Sequence, residues 1–81
     1  MEVDSRLVDV FCDQLGEDCR DSIVITATMD DIEAWDSLAF INLVMAIEEK
    51  FGVKFSMGES AQMYSVANIM RLLEEKDVLG G

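Results

Sequence analysis

Asp36-Ser37-Leu38-Ala39-Phe40-Ile41-Asn42-Leu43-Val44-Met45-Ala46-Ile47-Glu48-Glu49-Lys50-Phe51-Gly52 is the stretch that decides the fold. Between Leu38 and Ile47 only Asn42 is polar. A helix that is apolar nearly all round is central to a bundle or uses its outer face on a partner. Asp36 and Ser37 are both good caps, because a side-chain oxygen can accept an orphan backbone N–H. Gly52 supplies the stop. The pattern therefore predicts a helix from about Ser37 to Phe51. With Asp36 as the cap, Trp35 and Phe40 stand at hydrophobic-staple spacing. The other reading of Phe40 is an exposed apolar contact for a partner.

Upstream, Val3, Leu7, Val10, Phe11 and Leu15 mark one face of a helix from about Asp4 to Leu15, ended by Gly16. Residues 16 to 36 are long for a connection, since loops beyond about 12–15 residues are uncommon and often functional. Ile23-Val24-Ile25 could pass for a strand, but it has no partner strand. The segment is therefore expected to be an extended loop pinned to the core by Ile23 and Ile25. Asp30, Asp31 and Glu33 lack the sixth-position Gly and the alternating acids of a calcium loop.

Downstream, Gly52-Val53-Lys54-Phe55 is a connector with Val53 and Phe55 as anchors. A short third helix is expected over about Gly58 to Met63. A last helix is expected from near Ser65, with Val66, Ile69, Met70 and Leu73 on its inner face. Met45 and Met70 fit core positions, and Gly80-Gly81 should fray. The sum is all-α: a small four-helix bundle, three longer helices and one short, with a long first loop. Residues 1–81 read as a single domain, since the chain has 81 residues and one small core.

Composition excludes whole classes of function. Lys plus Arg total 6 against 17 Asp plus Glu, a net charge of −11. Six scattered cations make no basic patch for nucleic acid or an acidic membrane surface, so the expected partner is a basic protein surface. The chain has no His, which removes the commonest general base and metal ligand and every Ser–His or Cys–His nucleophile. No metal site and no catalytic residue is expected. Cys12 and Cys19 fit no common zinc spacing and are too few for a disulfide framework, so they read as reduced thiols, Cys12 beside a core face. The acidic N-terminus is not a secretory signal, and no run approaches the roughly 20 apolar residues of a membrane span. The expected location is the cytoplasm.

The candidate site is Ser37. A helix N-terminus presents free N–H groups and partial positive charge, which favours a phosphate. Such a Ser suits a phosphodiester. It does not suit attack on a substrate, because nothing in the chain can deprotonate it.

Asp36-Ser37-Leu38, then Ile41, the run Leu43 to Gly52 ending Glu48-Glu49-Lys50-Phe51-Gly52, and Ser65-Val66 resemble an acyl carrier protein. The resemblance covers nearly the whole chain. It implies a four-helix bundle with a long first loop and a 4′-phosphopantetheine arm on Ser37. A phosphopantetheinyl transferase would install the arm from coenzyme A, with magnesium. Its thiol would carry acyl or aminoacyl groups as thioesters, and a carrier of this kind has no catalysis of its own. The implied partners are an acyl- or aminoacyl-adenylating ligase and condensing or acyltransferase enzymes, docked transiently on a monomer. The docking candidates are Asp36, Leu38, Phe40, Glu48, Glu49 and Glu59, through charge attraction that speeds encounter. Fatty acid carriers commonly place acids just after the modified Ser, where this chain has Leu38-Ala39-Phe40-Ile41-Asn42. Trp35 stands where those carriers have a small residue, as in stand-alone carriers of secondary metabolism and amino acid loading. Both departures point to a specialised secondary-metabolite or modified-lipid pathway. An aminoacyl or peptidyl carrier and an acidic helical adaptor with no prosthetic group are the alternatives.

Overall fold

The computed structural model describes residues 3–79, so the expected fraying of Gly80-Gly81 lies outside it. Four α-helices follow in order: α1 (Ser5–Leu15), α2 (Ser37–Phe51), α3 (Met57–Ser60) and α4 (Val66–Glu75). No strand occurs among the described residues, and the all-α bundle expected from periodicity is what forms. Each start is set by a side-chain cap. Asp4 accepts from the Arg6 N–H, Asp36 from Ala39, Ser56 from Glu59 and Ser65 from Asn68. Gly52 ends α2 in the left-handed conformation (φ 67°), which lets the Val53 N–H return to the Glu48 carbonyl at 3.0 Å.

The core gathers one stripe from each long helix. Leu7 and Phe11 of α1, Leu43 and Ile47 of α2, and Val66, Ile69 and Leu73 of α4 are sealed from solvent, as is Met63. Trp35 joins them from the loop at 2% exposure, its ring edge-to-face with Phe11 at 5.0 Å and 81°. Among the described residues its indole Nε1 is the one buried side-chain polar atom without a hydrogen-bond partner. Leaving such a group unmade typically costs about 1–3 kcal/mol.

Two expectations about the helices need correction. Met45 is 61% exposed rather than core, because it lies on the face of α2 turned away from Leu43 and Ile47. The short helix is Met57–Ser60 rather than Gly58 to Met63. A reciprocal cap between Ser56 and Glu59 starts it early, and Met63 leaves it to enter the core.

The long first loop is neither strand nor plain coil. It holds two 3-10 segments, Glu17–Ser22 and Met29–Asp31. Ile23 is buried and Ile25 packs against the core, as expected of anchors. The β-type pairing lies further on, as an isolated antiparallel bridge between Thr28 and Ser65. There the Met29 N–H donates to Tyr64 O (2.8 Å) and the Val66 N–H to Ala27 O (3.0 Å). The loop is thereby tied to the start of α4. Arg20 ties its first half to α1, donating to Asp9 (3.2 Å) and Glu17 (3.1 Å), and this pairing holds the guanidinium protonated.

Candidate functional site

Ser37 is the first residue of α2 and is exposed. The capping work beside it is done by Asp36, whose Oδ1 accepts the Ala39 N–H at 2.9 Å while its carbonyl accepts the Phe40 N–H at 2.8 Å. The Ser37 hydroxyl takes part in no side-chain hydrogen bond among the described residues. The N–H groups of Ser37 and Leu38 likewise have no partner there, so the start of α2 presents positive partial charge. An anionic group at such a position gains about 0.3–1 kcal/mol.

Helix-start geometry alone does not single out Ser37. Ser56 and Ser65 have hydroxyls committed as caps. Asp4-Ser5 repeats the arrangement at α1, with Ser5 exposed. There, however, the next residue is Arg6, whose guanidinium folds onto the Asp4 carboxylate at 3.2 Å and the Val78 carbonyl at 3.2 Å. After Ser37 comes Leu38, 69% exposed, which leaves an open approach.

The face of α2 leading away from Ser37 is apolar. Leu38, Ile41 (55% exposed) and Met45 follow at i, i+3, i+7, so they form one stripe in solvent. Ile41 and Met45 are absent from the docking residues read from the sequence. In a run with a single polar residue, periodicity cannot say which apolar side chains face out. The stripe ends at an open groove of about 450 Å³ lined by Met45, Glu48, Glu49, Gly52, Val53 and Lys54.

The remaining docking candidates divide by what they already hold. Phe40 is half-buried and packs against the core to which Trp35 belongs, rather than standing out in solvent. Glu48 is half-buried, and its Oε2 accepts the Phe55 N–H at 2.8 Å. Glu59 accepts the Ser56 N–H at 2.9 Å and the Lys76 ammonium at 3.2 Å, which together hold its carboxyl below the ordinary range. Glu49 and Asp36 are exposed. No group of His, Cys, Asp and Glu among the described residues could hold a metal ion. No helix there is long and apolar enough to cross a membrane.

Comparison with known proteins agrees with this geometry. A family model described as "Phosphopantetheine attachment site" matches residues 5–74. The chain is similar to an acyl carrier protein of Solidesulfovibrio magneticus, 34% identical over 76 residues that make up 94% of this chain and 96% of that one. An acyl carrier protein of Clostridium acetobutylicum is 31% identical over 69 residues, 85% of this chain and 88% of the relative. One of Chlamydia trachomatis is 29% identical over 76 residues, 94% of this chain and 97% of the relative. The chain belongs to the acyl carrier protein family, a family of carriers, and its cofactor is a covalently attached 4′-phosphopantetheine. The exposed α2 N-terminus, with an unengaged hydroxyl and two unpaired N–H groups, fits a phosphodiester.

Proposed function

We propose that Ser37 carries the arm and that the chain is a single-domain carrier with no catalysis of its own. It holds acyl groups as thioesters for partner enzymes of a specialised pathway in the cytoplasm. The observation that supports this most directly is the exposed Ser37 hydroxyl, left free at the first turn of α2 because Asp36 does the capping. Phosphopantetheine supplies the terminal thiol that forms the thioester. The chain's own part is to present the attachment oxygen, to favour the phosphate with the N–H groups of Ser37 and Leu38, and to offer a docking face. The hydroxyl proton goes to the phosphopantetheinyl transferase, since the neighbouring Asp36 carboxylate is engaged in capping α2.

The docking face combines the exposed stripe Leu38, Ile41 and Met45 with Asp36 at one end and Glu49 at the other. Glu48, Glu59 and Phe40 belong to it more through the local structure they hold. Partners of this face are the transferase, an adenylating ligase and condensing or acyltransferase enzymes, each with an apolar contact flanked by cations. Tethering raises the effective concentration of the cargo at each docked enzyme.

The experiment is intact-protein mass spectrometry after incubation with coenzyme A, magnesium and a broad-specificity transferase. One arm mass should be added to the wild type and to Ser5→Ala, and none to Ser37→Ala. Unchanged labelling of Ser37→Ala would defeat the assignment.

A further inference from the structure

We propose that the indole N–H of Trp35 is an internal hydrogen-bond donor for a carbonyl oxygen brought in by the arm on Ser37. This rests on the attachment reading above. Among the described residues, every other buried side-chain N or O is satisfied, and the core around Trp35 is otherwise apolar. A donor 2% exposed and unpaired is a standing cost in the free protein, and it is recovered when an acceptor arrives. Trp35 lies two residues before Ser37, within about 7 Å along the chain, so a group tethered there starts close to the residue that bears the unpaired donor.

The loop that leads into Trp35 is also the least regular part of the fold among the described residues. An open depression of about 550 Å³ is lined by Cys19, Ser22, Asp31 and residues 32–34, ending at the residue before Trp35. Ile32 belongs both to that lining and to the buried core. The segment is held by two short 3-10 pieces and one isolated bridge rather than by a helix, so local opening there is easier than between helices. The acceptor chemistry is a carbonyl. It can come from the arm's own amides or from the acyl thioester at its end.

The chain has a single Trp, so one indole cross-peak reports the donor in a ¹H–¹⁵N spectrum. Four forms are compared: apo, holo, holo with an acyl thioester, and holo alkylated with a thioether chain of equal length, which lacks the thioester carbonyl. The expected result is a downfield indole proton and exchange slowed about tenfold, the factor of one net hydrogen bond. A shift already present in holo assigns the arm's amides. A shift confined to the thioester assigns the cargo. Trp35→Phe should abolish any extra thermal stability of the thioester form over the thioether form. An indole peak that stays put in all forms, with arm and cargo confirmed by mass, overturns the proposal. Equal movement by the thioether overturns it too, since burial would then suffice. Failure to add the arm at all brings down the attachment reading first, and this proposal with it.

Discussion

Glu48 and Glu49 are adjacent acids of one helix, yet they should behave differently when truncated. The Glu48 Oε2 accepts the Phe55 N–H at 2.8 Å and so fastens the last turn of α2 to the connector before α3. Glu48→Ala leaves that part-buried N–H without its acceptor. The full penalty for such a group is about 1–3 kcal/mol, and partial exposure brings the expected loss to about 1–2 kcal/mol. In a domain of this size each kcal/mol moves the midpoint by about 4–8 °C, so Tm should fall by roughly 5–15 °C. Glu48→Gln keeps a carbonyl acceptor but loses the charge, and should fall between. Glu49 is exposed and has no such bond, so Glu49→Ala should stay within about 0.5 kcal/mol of wild type. A small gain is favoured there, because a carboxylate near a helix C-terminus opposes the dipole. The assay is thermal and urea unfolding of the apo protein followed by circular dichroism. Midpoints of Glu48→Ala and Glu49→Ala within about 2 °C of each other would refute the reasoning. The comparison also bears on docking: lost partner affinity in Glu48→Ala is partly lost structure, whereas in Glu49→Ala it is lost recognition.

Leu73→Ala removes a fully buried side chain of α4 and should cost about 2–5 kcal/mol by urea titration, a large part of the stability of so small a domain. At Gly52 nothing lies within 4 Å of an added Cβ, so Gly52→Ala should cost only the left-handed backbone term, about 1 kcal/mol in the same titration. Asp77 holds φ 60° without being glycine, so Asp77→Gly should raise the midpoint. Glu59 is held below its ordinary value of 4.5 by the Ser56 N–H and Lys76, so its contribution is full above that pH and is lost as pH falls through the lowered value. The stability gap between wild type and Glu59→Gln should therefore close on acidification; a gap that widens would reverse the sign. Burial first, and Glu17 second, push the Cys12 thiol up, so timed alkylation read by peptide mass should label half-buried Cys19 before Cys12.

Much of this protein was already determined by local chemistry. The long helices were legible because their caps and stops are local: Asp36 and Gly52 bound α2, Ser65 opens α4, and Gly16 closes α1. The place of Ser37 at the first turn of α2 was legible for the same reason, since its neighbour Asp36 is the cap. The function class followed from the likeness of Asp36-Ser37-Leu38 and the run to Gly52 to an acyl carrier protein, while charge and the missing His narrowed the alternatives. Tertiary structure decided what local pattern cannot encode. In α2 nearly every residue is apolar, and only the positions of α1 and α4 choose Leu43 and Ile47 as inside and Ile41 and Met45 as outside. The loop's pairing at Thr28 with Ser65 joins residues far apart in sequence, where no periodicity reaches. Trp35 acquires its unpaired donor only because the bundle closes over it. Caps and charges act over one turn or through composition. Faces, bridges and buried donors exist only once distant segments meet.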